Sequence, residues 1–101
     1  MTLTTEIVTF RTLPGPTRDD VQKAAASVGP WLAGQRGFVA RSLSCSDEGL
    51  WTDHVLWASH EDAARAGAAF MAEPSAAAFM TMIDPESVQM SHAPVVVRQT
   101  V

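Results

Sequence analysis

The chain has 101 residues, 47% of them hydrophobic and 18% charged, with a formal net charge of −4; that is apolar enough for one packed domain and too apolar for a disordered chain. Its seven Lys and Arg are scattered along the sequence, so no basic footprint for nucleic acid is present. Cys45 is the only cysteine, which rules out an intrachain disulfide and fits a reducing compartment.

Residues 6–12 alternate, with Val8 and Phe10 on one side and Ile7, Thr9 and Arg11 on the other, the period of a strand. Leu13-Pro14-Gly15-Pro16 stops it, because prolines cannot continue a ladder. Thr17, with Asp20 three residues on, predicts a helix start with a short-armed capping box. Val21, Ala24, Ala25 and Val28 then recur at helical spacing. Gly29-Pro30 interrupts the rhythm before Trp31 and Leu32 resume it, predicting a kinked helix or two abutting ones that end near Gly34–Gly37.

Residues 38–45 and 50–58 read as an antiparallel hairpin around the Ser46-Asp47-Glu48-Gly49 turn. Ser59 caps the next helix, with Glu61 and Asp62 in its first turn. Ala63, Ala66, Gly67, Phe70 and Met71 form its apolar stripe until Pro74 breaks it. A short continuation carries Ala76, Phe79, Met80 and Ile83. Residues 87–93 return to period two, with Val88, Met90 and His92 in one phase, and 95–97 form a possible last extended piece after Pro94.

The apolar stretches around 66–72 and 76–80 are too short to span a bilayer. No basic segment followed by an apolar one opens the chain, so no secretory signal is expected and the expected location is the cytoplasm. The whole of 1–101 is expected to be one domain. The order β-α-β-β-α-β is the ferredoxin-like, α+β arrangement, in which both helical segments cover one face of an antiparallel four-stranded sheet. Neither phase of the strands reads as mostly charged, as a solvated face would. A second copy laid sheet against sheet is therefore expected, giving a homodimer.

The chain resembles the dimeric α/β-barrel proteins, in particular the small antibiotic-biosynthesis-monooxygenase-like domains. The resemblance rests on Leu13-Pro14-Gly15, on Gln35-Arg36-Gly37-Phe38-Val39-Ala40-Arg41 and on Asp53-His54-Val55-Leu56-Trp57-Ala58-Ser59. It implies a ligand site between sheet and helices, a tryptophan at Trp57 bordering it, and, for some members, oxygenation of aromatic phenols or anthrones with no cofactor. The sequence holds neither Tyr nor Asn. Haem-degrading relatives of this group use an Asn on strand one, a Trp on strand three and a His inside the second helix, of which only the Trp is matched, since His60 stands at the helix start.

His92 is the first candidate base and His54 the second, because imidazole can take a proton from an acidic phenol or activated C–H near neutral pH. The parity of His54 is opposite to that of Trp57, so one small pocket cannot hold both. Trp57 and Trp51 are candidate stacking surfaces for a flat ligand. Arg41 is a candidate partner for a phenolate or carboxylate, and Phe10 and Met90 are candidate apolar walls. The three histidines show no metal-ligand spacing, and neither a phosphate loop nor a nucleophile elbow is present. Two functions remain open at this level: a cofactor-independent oxygenase of an aromatic or polyketide-like molecule, and a non-catalytic ligand-binding or structural homodimer.

Overall fold

Residues 2–101 are described by the computed structural model. The elements run β1 (Thr4–Phe10), α1 (Arg18–Ala26), α2 (Gly29–Ala33), β2 (Phe38–Cys45), β3 (Trp51–Trp57), α3 (His60–Phe70), α4 (Ala77–Met82) and β4 (Gln89–Pro94), with single 3-10 turns at Pro74–Ala76 and Pro85–Ser87. The strands lie in the order β2-β3-β1-β4, each neighbour antiparallel. This is the ferredoxin-like topology that the element order implied.

Local chemistry fixes the helix starts. Thr17 Oγ1 accepts the Asp20 N–H at 3.1 Å, and Asp20 Oδ2 accepts the Thr17 N–H at 2.9 Å; the capping box closes despite the short Asp arm. The helical region then divides in two, because Pro30 sits in the first turn of α2, where its missing N–H costs nothing. At α3, Ser59 Oγ accepts the Asp62 N–H at 3.1 Å and donates its own proton to Asp62 Oδ2 at 2.9 Å. Gly37 has φ +85°, and an added Cβ there would fall 2.2 Å from Asp62 Oδ2. A side chain at 37 would therefore collide with the α3 cap.

Two of the differences from the sequence expectation have a cause in hydrogen bonding. β1 ends at Phe10 rather than 12, because the backbone turns to the segment after α4: the Arg11 N–H donates to Ser87 Oγ at 2.8 Å and the Leu13 N–H to Met82 O at 2.9 Å. Residues 95–97 form no strand. The Val95 N–H reaches Leu3 O at 2.8 Å, and beyond it Val96 and Val97 are exposed, since β1 starts at Thr4 and offers no further partner.

Alternation sends Phe10, Trp51, Val55 and Trp57 towards the helices, where they are buried with Val21, Val28, Ala63 and Phe79. Phe10 stacks on Trp51 with centroids 6.1 Å apart and meets Phe79 edge-on at 5.6 Å. The opposite sheet face carries Thr5, Ile7 and Thr9 of β1, Thr52, His54 and Leu56 of β3, Ser42 and Ser44 of β2, and Gln89 and Ser91 of β4. Among the described residues no helix covers it, and none of these side chains is Asp, Glu, Lys or Arg.

Candidate functional site

One row of the sheet organises the site. The register sets His92 beside Glu6, Glu6 beside Val55, and Val55 beside Arg41, all on the helix side. The next row places Asp53 diagonal to Arg41. An apolar floor therefore carries a carboxylate towards one edge and an ion pair towards the other. Above it, α2, α3 and α4 leave a cavity of about 420 Å³, within the roughly 300–1,000 Å³ that small-molecule sites occupy.

Glu6 and Trp57 reach this cavity from the sheet, and Trp31, Phe70 and Phe79 reach it from the helices. Gly67, in the middle of α3, has nothing within 4 Å of where a Cβ would stand, so its missing side chain is part of the space. Met71 and Met90 line the same cavity and are largely exposed, which puts two unbranched, adaptable side chains at its mouth.

Glu6 is held from two sides. His92 Nε2 lies 2.7 Å from Glu6 Oε2, and the Trp57 indole N–H points at Glu6 Oε1 over a longer 3.4 Å. The side chains of Glu6 and His92 are only 12% and 24% exposed, so the contact is shielded from competing water. Arg41 donates through Nε to Asp53 Oδ1 at 2.9 Å, through Nη2 to Asp53 Oδ2 at 2.7 Å, and through Nη1 to Ala25 O at 2.9 Å. This two-pronged pair fixes the guanidinium plane and ties the sheet to the end of α1.

Two carboxyls in the helix caps have displaced titration. The Arg65 hydrogen bond, aided by that of Ser59, holds Asp62 below the usual carboxylate range, and the Thr17 backbone N–H does the same for Asp20. Among the described residues no three His, Cys, Asp or Glu side chains are grouped to hold a metal ion, and no helix is long and apolar enough to cross a membrane.

No family model and no curated protein matches the sequence. Solved structures do match over nearly the full chain. A proposed antibiotic biosynthesis monooxygenase from Bordetella bronchiseptica aligns at TM-score 0.77 and 22% identity, covering 96% of this chain and 100% of that one. One from Caulobacter crescentus aligns at TM-score 0.75 and 18% identity, covering 95% and 92%. The chain shares the ferredoxin-like fold of these proteins. SnoaB, a cofactor-independent oxygenase from Streptomyces nogalater, has this fold too, at TM-score 0.67 and 20% identity, covering 100% of this chain and 98% of that one.

Within this fold the candidate residues divide. Trp57, Arg41, Phe10 and Met90 line the cavity. Trp51 does not; it is a core residue, packed flat against Phe10 and paired with Cys45 at the far end of the sheet. His54 is exposed on the opposite face, between Ile7 and Ser42, and cannot serve this cavity. His92 is on the helix side but stands behind Glu6, which is the residue that meets the cavity. Sequence reasoning missed Glu6, although a signal was present: it is the one charged residue in the same alternating phase as Val8 and Phe10.

Proposed function

We propose that the protein is a cofactor-independent monooxygenase that binds a flat phenolic or anthrone-like molecule between sheet and helices. The observation that carries this reading is a carboxylate, Glu6, presented to an apolar cavity beside Trp57 and backed by His92 at 2.7 Å. The description of SnoaB as a cofactor-independent oxygenase on the same fold supports it.

The chemistry asks little beyond what these residues supply. Trp57 and Phe79 enclose the rings of the ligand, and displacing water from such walls favours binding. Glu6 removes a proton from the activated CH₂, leaving a carbanion stabilised by the adjacent carbonyl and rings. The carbanion reduces dioxygen, the two combine to a hydroperoxide, and loss of water leaves a ketone. The balance is R₂CH₂ + O₂ → R₂C=O + H₂O: a four-electron oxidation of carbon matched by four-electron reduction of oxygen. A positioned general base is worth about 10²–10⁴-fold in such a proton transfer. Arg41, locked by Asp53, offers its remaining N–H groups to a carbonyl or phenolate oxygen of the ligand.

The test is oxygen uptake and anthraquinone formation when the purified protein meets anthrone in air. Turnover that falls about 10²-fold or more in Glu6→Gln supports the reading. Absence of turnover above the buffer rate overturns it.

The reading includes a homodimer formed through the uncovered sheet face. Its support is a face where Ile7 and Leu56 stand among side chains none of which is Asp, Glu, Lys or Arg, a depletion of charge typical of the centre of an interface. A monomer in sedimentation equilibrium at micromolar concentration would remove this part.

A further inference from the structure

The charged groups that face the cavity leave no cation free. Among the described residues the lining holds one cation, Arg41, and two carboxylates, Glu6 and Asp53. Asp53 takes the Arg41 charge through two hydrogen bonds, of 2.9 and 2.7 Å, and both side chains are largely buried. A guanidinium has five N–H donors; Asp53 and Ala25 O use three of them, so Nη1 and Nη2 keep one each. A ligand therefore meets hydrogen-bond donors there, but a charge already compensated. We infer that Asp53 is a specificity-determining residue. By neutralising Arg41 it sets the cavity for an uncharged aromatic ligand, with a carbonyl or un-ionised hydroxyl against Arg41, and turns away the corresponding ring carboxylate. This rests on the reading of the cavity as the ligand site.

Glu6 and Arg41 flank Val55 from the strands on either side of it, which sets them two strand spacings apart, about 9–10 Å. A carboxylate held against Arg41 thus lies about 9 Å from Glu6, and Asp53 is nearer. At an effective dielectric of about 20, like charges about 9 Å apart weaken binding roughly 20-fold. Stripping water from an ionised group adds to that loss. His92 is outside the lining and bonded to Glu6, so it bears on that carboxylate and leaves the Arg41–Asp53 pair unchanged. The proposed reaction sets the same requirement. When Glu6 takes a proton from an uncharged ligand, the negative charge moves from the carboxylate to the ligand oxygen, and the total is constant. An anionic oxygen then arises inside the cavity without being carried in from water. A carboxylated ligand would add a second negative charge at every stage. Mismatched charge of this kind discriminates between ligands of one shape.

The probes are anthraquinone-2-carboxamide and anthraquinone-2-carboxylate, which share one outline, have no CH₂ to react, and differ by one charge at about pH 8. Their affinities are read by quenching of Trp31 and Trp57 fluorescence, both rings being in the lining. Wild type should bind the amide about tenfold or more tightly than the carboxylate. Asp53→Asn keeps the outline and an acceptor for Arg41 but frees the cation, and should shift the preference towards the carboxylate by about tenfold or more. Asp53→Glu, which restores the charge, should return the preference to the amide. Glu6→Gln leaves the Arg41–Asp53 pair in place and should still favour the amide, by a smaller factor; it decides the matter if Asp53→Asn does not fold. Equal affinities in wild type, a smaller shift in folded Asp53→Asn, or a carboxylate preference in Glu6→Gln would each overturn the inference. Binding of neither probe would overturn it together with the ligand site. An amide preference without anthraquinone formation from anthrone would leave it standing and remove the oxygenase reading. Turnover of anthrone with equal affinity for the two probes would do the reverse.

Discussion

Asp53→Ala tests whether the Arg41–Asp53 pair is as desolvated as its place in the cavity wall implies. Both side chains are 13% exposed, and the carboxylate receives two of the three Arg41 hydrogen bonds. Removing Asp53 leaves a guanidinium facing an apolar cavity with only Ala25 O as partner. Breaking a buried pair this way costs about 3–5 kcal/mol, and the residual exposure places this case near the lower end, at about 3 kcal/mol. For a domain of this size that is a fall in Tm of roughly 12–24 °C. Replacing both partners by apolar residues of similar length, in Arg41→Met/Asp53→Leu, removes the buried charge altogether and is expected to lie within about 1 kcal/mol of wild type. Thermal and urea unfolding of Arg41→Met, Asp53→Leu and the double variant, alongside Asp53→Ala, followed by circular dichroism, closes the cycle. A cost below about 1 kcal/mol for Asp53→Ala, the range of solvated surface pairs, would refute the argument. So would a double variant as unstable as the sum of the two singles.

Gly37→Ala places a Cβ into the Asp62 side chain at a left-handed backbone position, so we expect a loss of at least about 1 kcal/mol in urea unfolding; an unchanged midpoint would contradict it. Gly67→Ala, where a Cβ meets open space in a helix interior, should stabilise by about 0.5–1 kcal/mol, whereas Gly67→Leu should fill the cavity and lower anthrone affinity about tenfold or more in fluorescence titration. Asp62 has a folded-state pKa below its ordinary 3.8, so folding favours its carboxylate. Its contribution is complete above that value and is lost as the pH falls below about 3.8 towards the folded value; Asp62→Asn should flatten the acid limb of the stability curve there, and an unaltered limb would argue against the cap ion pair. His54→Ala, on the far face of the sheet, should leave anthrone affinity within about twofold of wild type, and a larger loss would mean that the site extends to the uncovered face of the sheet.

The elements of this protein are written locally. Thr17 with Asp20 and Ser59 with Asp62 start helices because each pair satisfies its own first-turn N–H groups. Pro30 and Pro74 divide helices wherever the chain goes, and the 46–49 turn closes a hairpin between strands adjacent in sequence. Alternation along β3 likewise told Trp57 from His54 before any partner strand was known. The site is not local. Glu6 and His92 are 86 residues apart and meet only because β4 pairs with β1 in one register. A shift of one residue would turn either side chain to the other face. Whether His92 or Glu6 confronts the cavity, and whether Arg41 is a solvated cation or half of a locked pair, depends on which rows of the sheet the helices roof. Periodicity assigns a side chain to a face; the packing of α2, α3 and α4 on that face decides what the side chain meets.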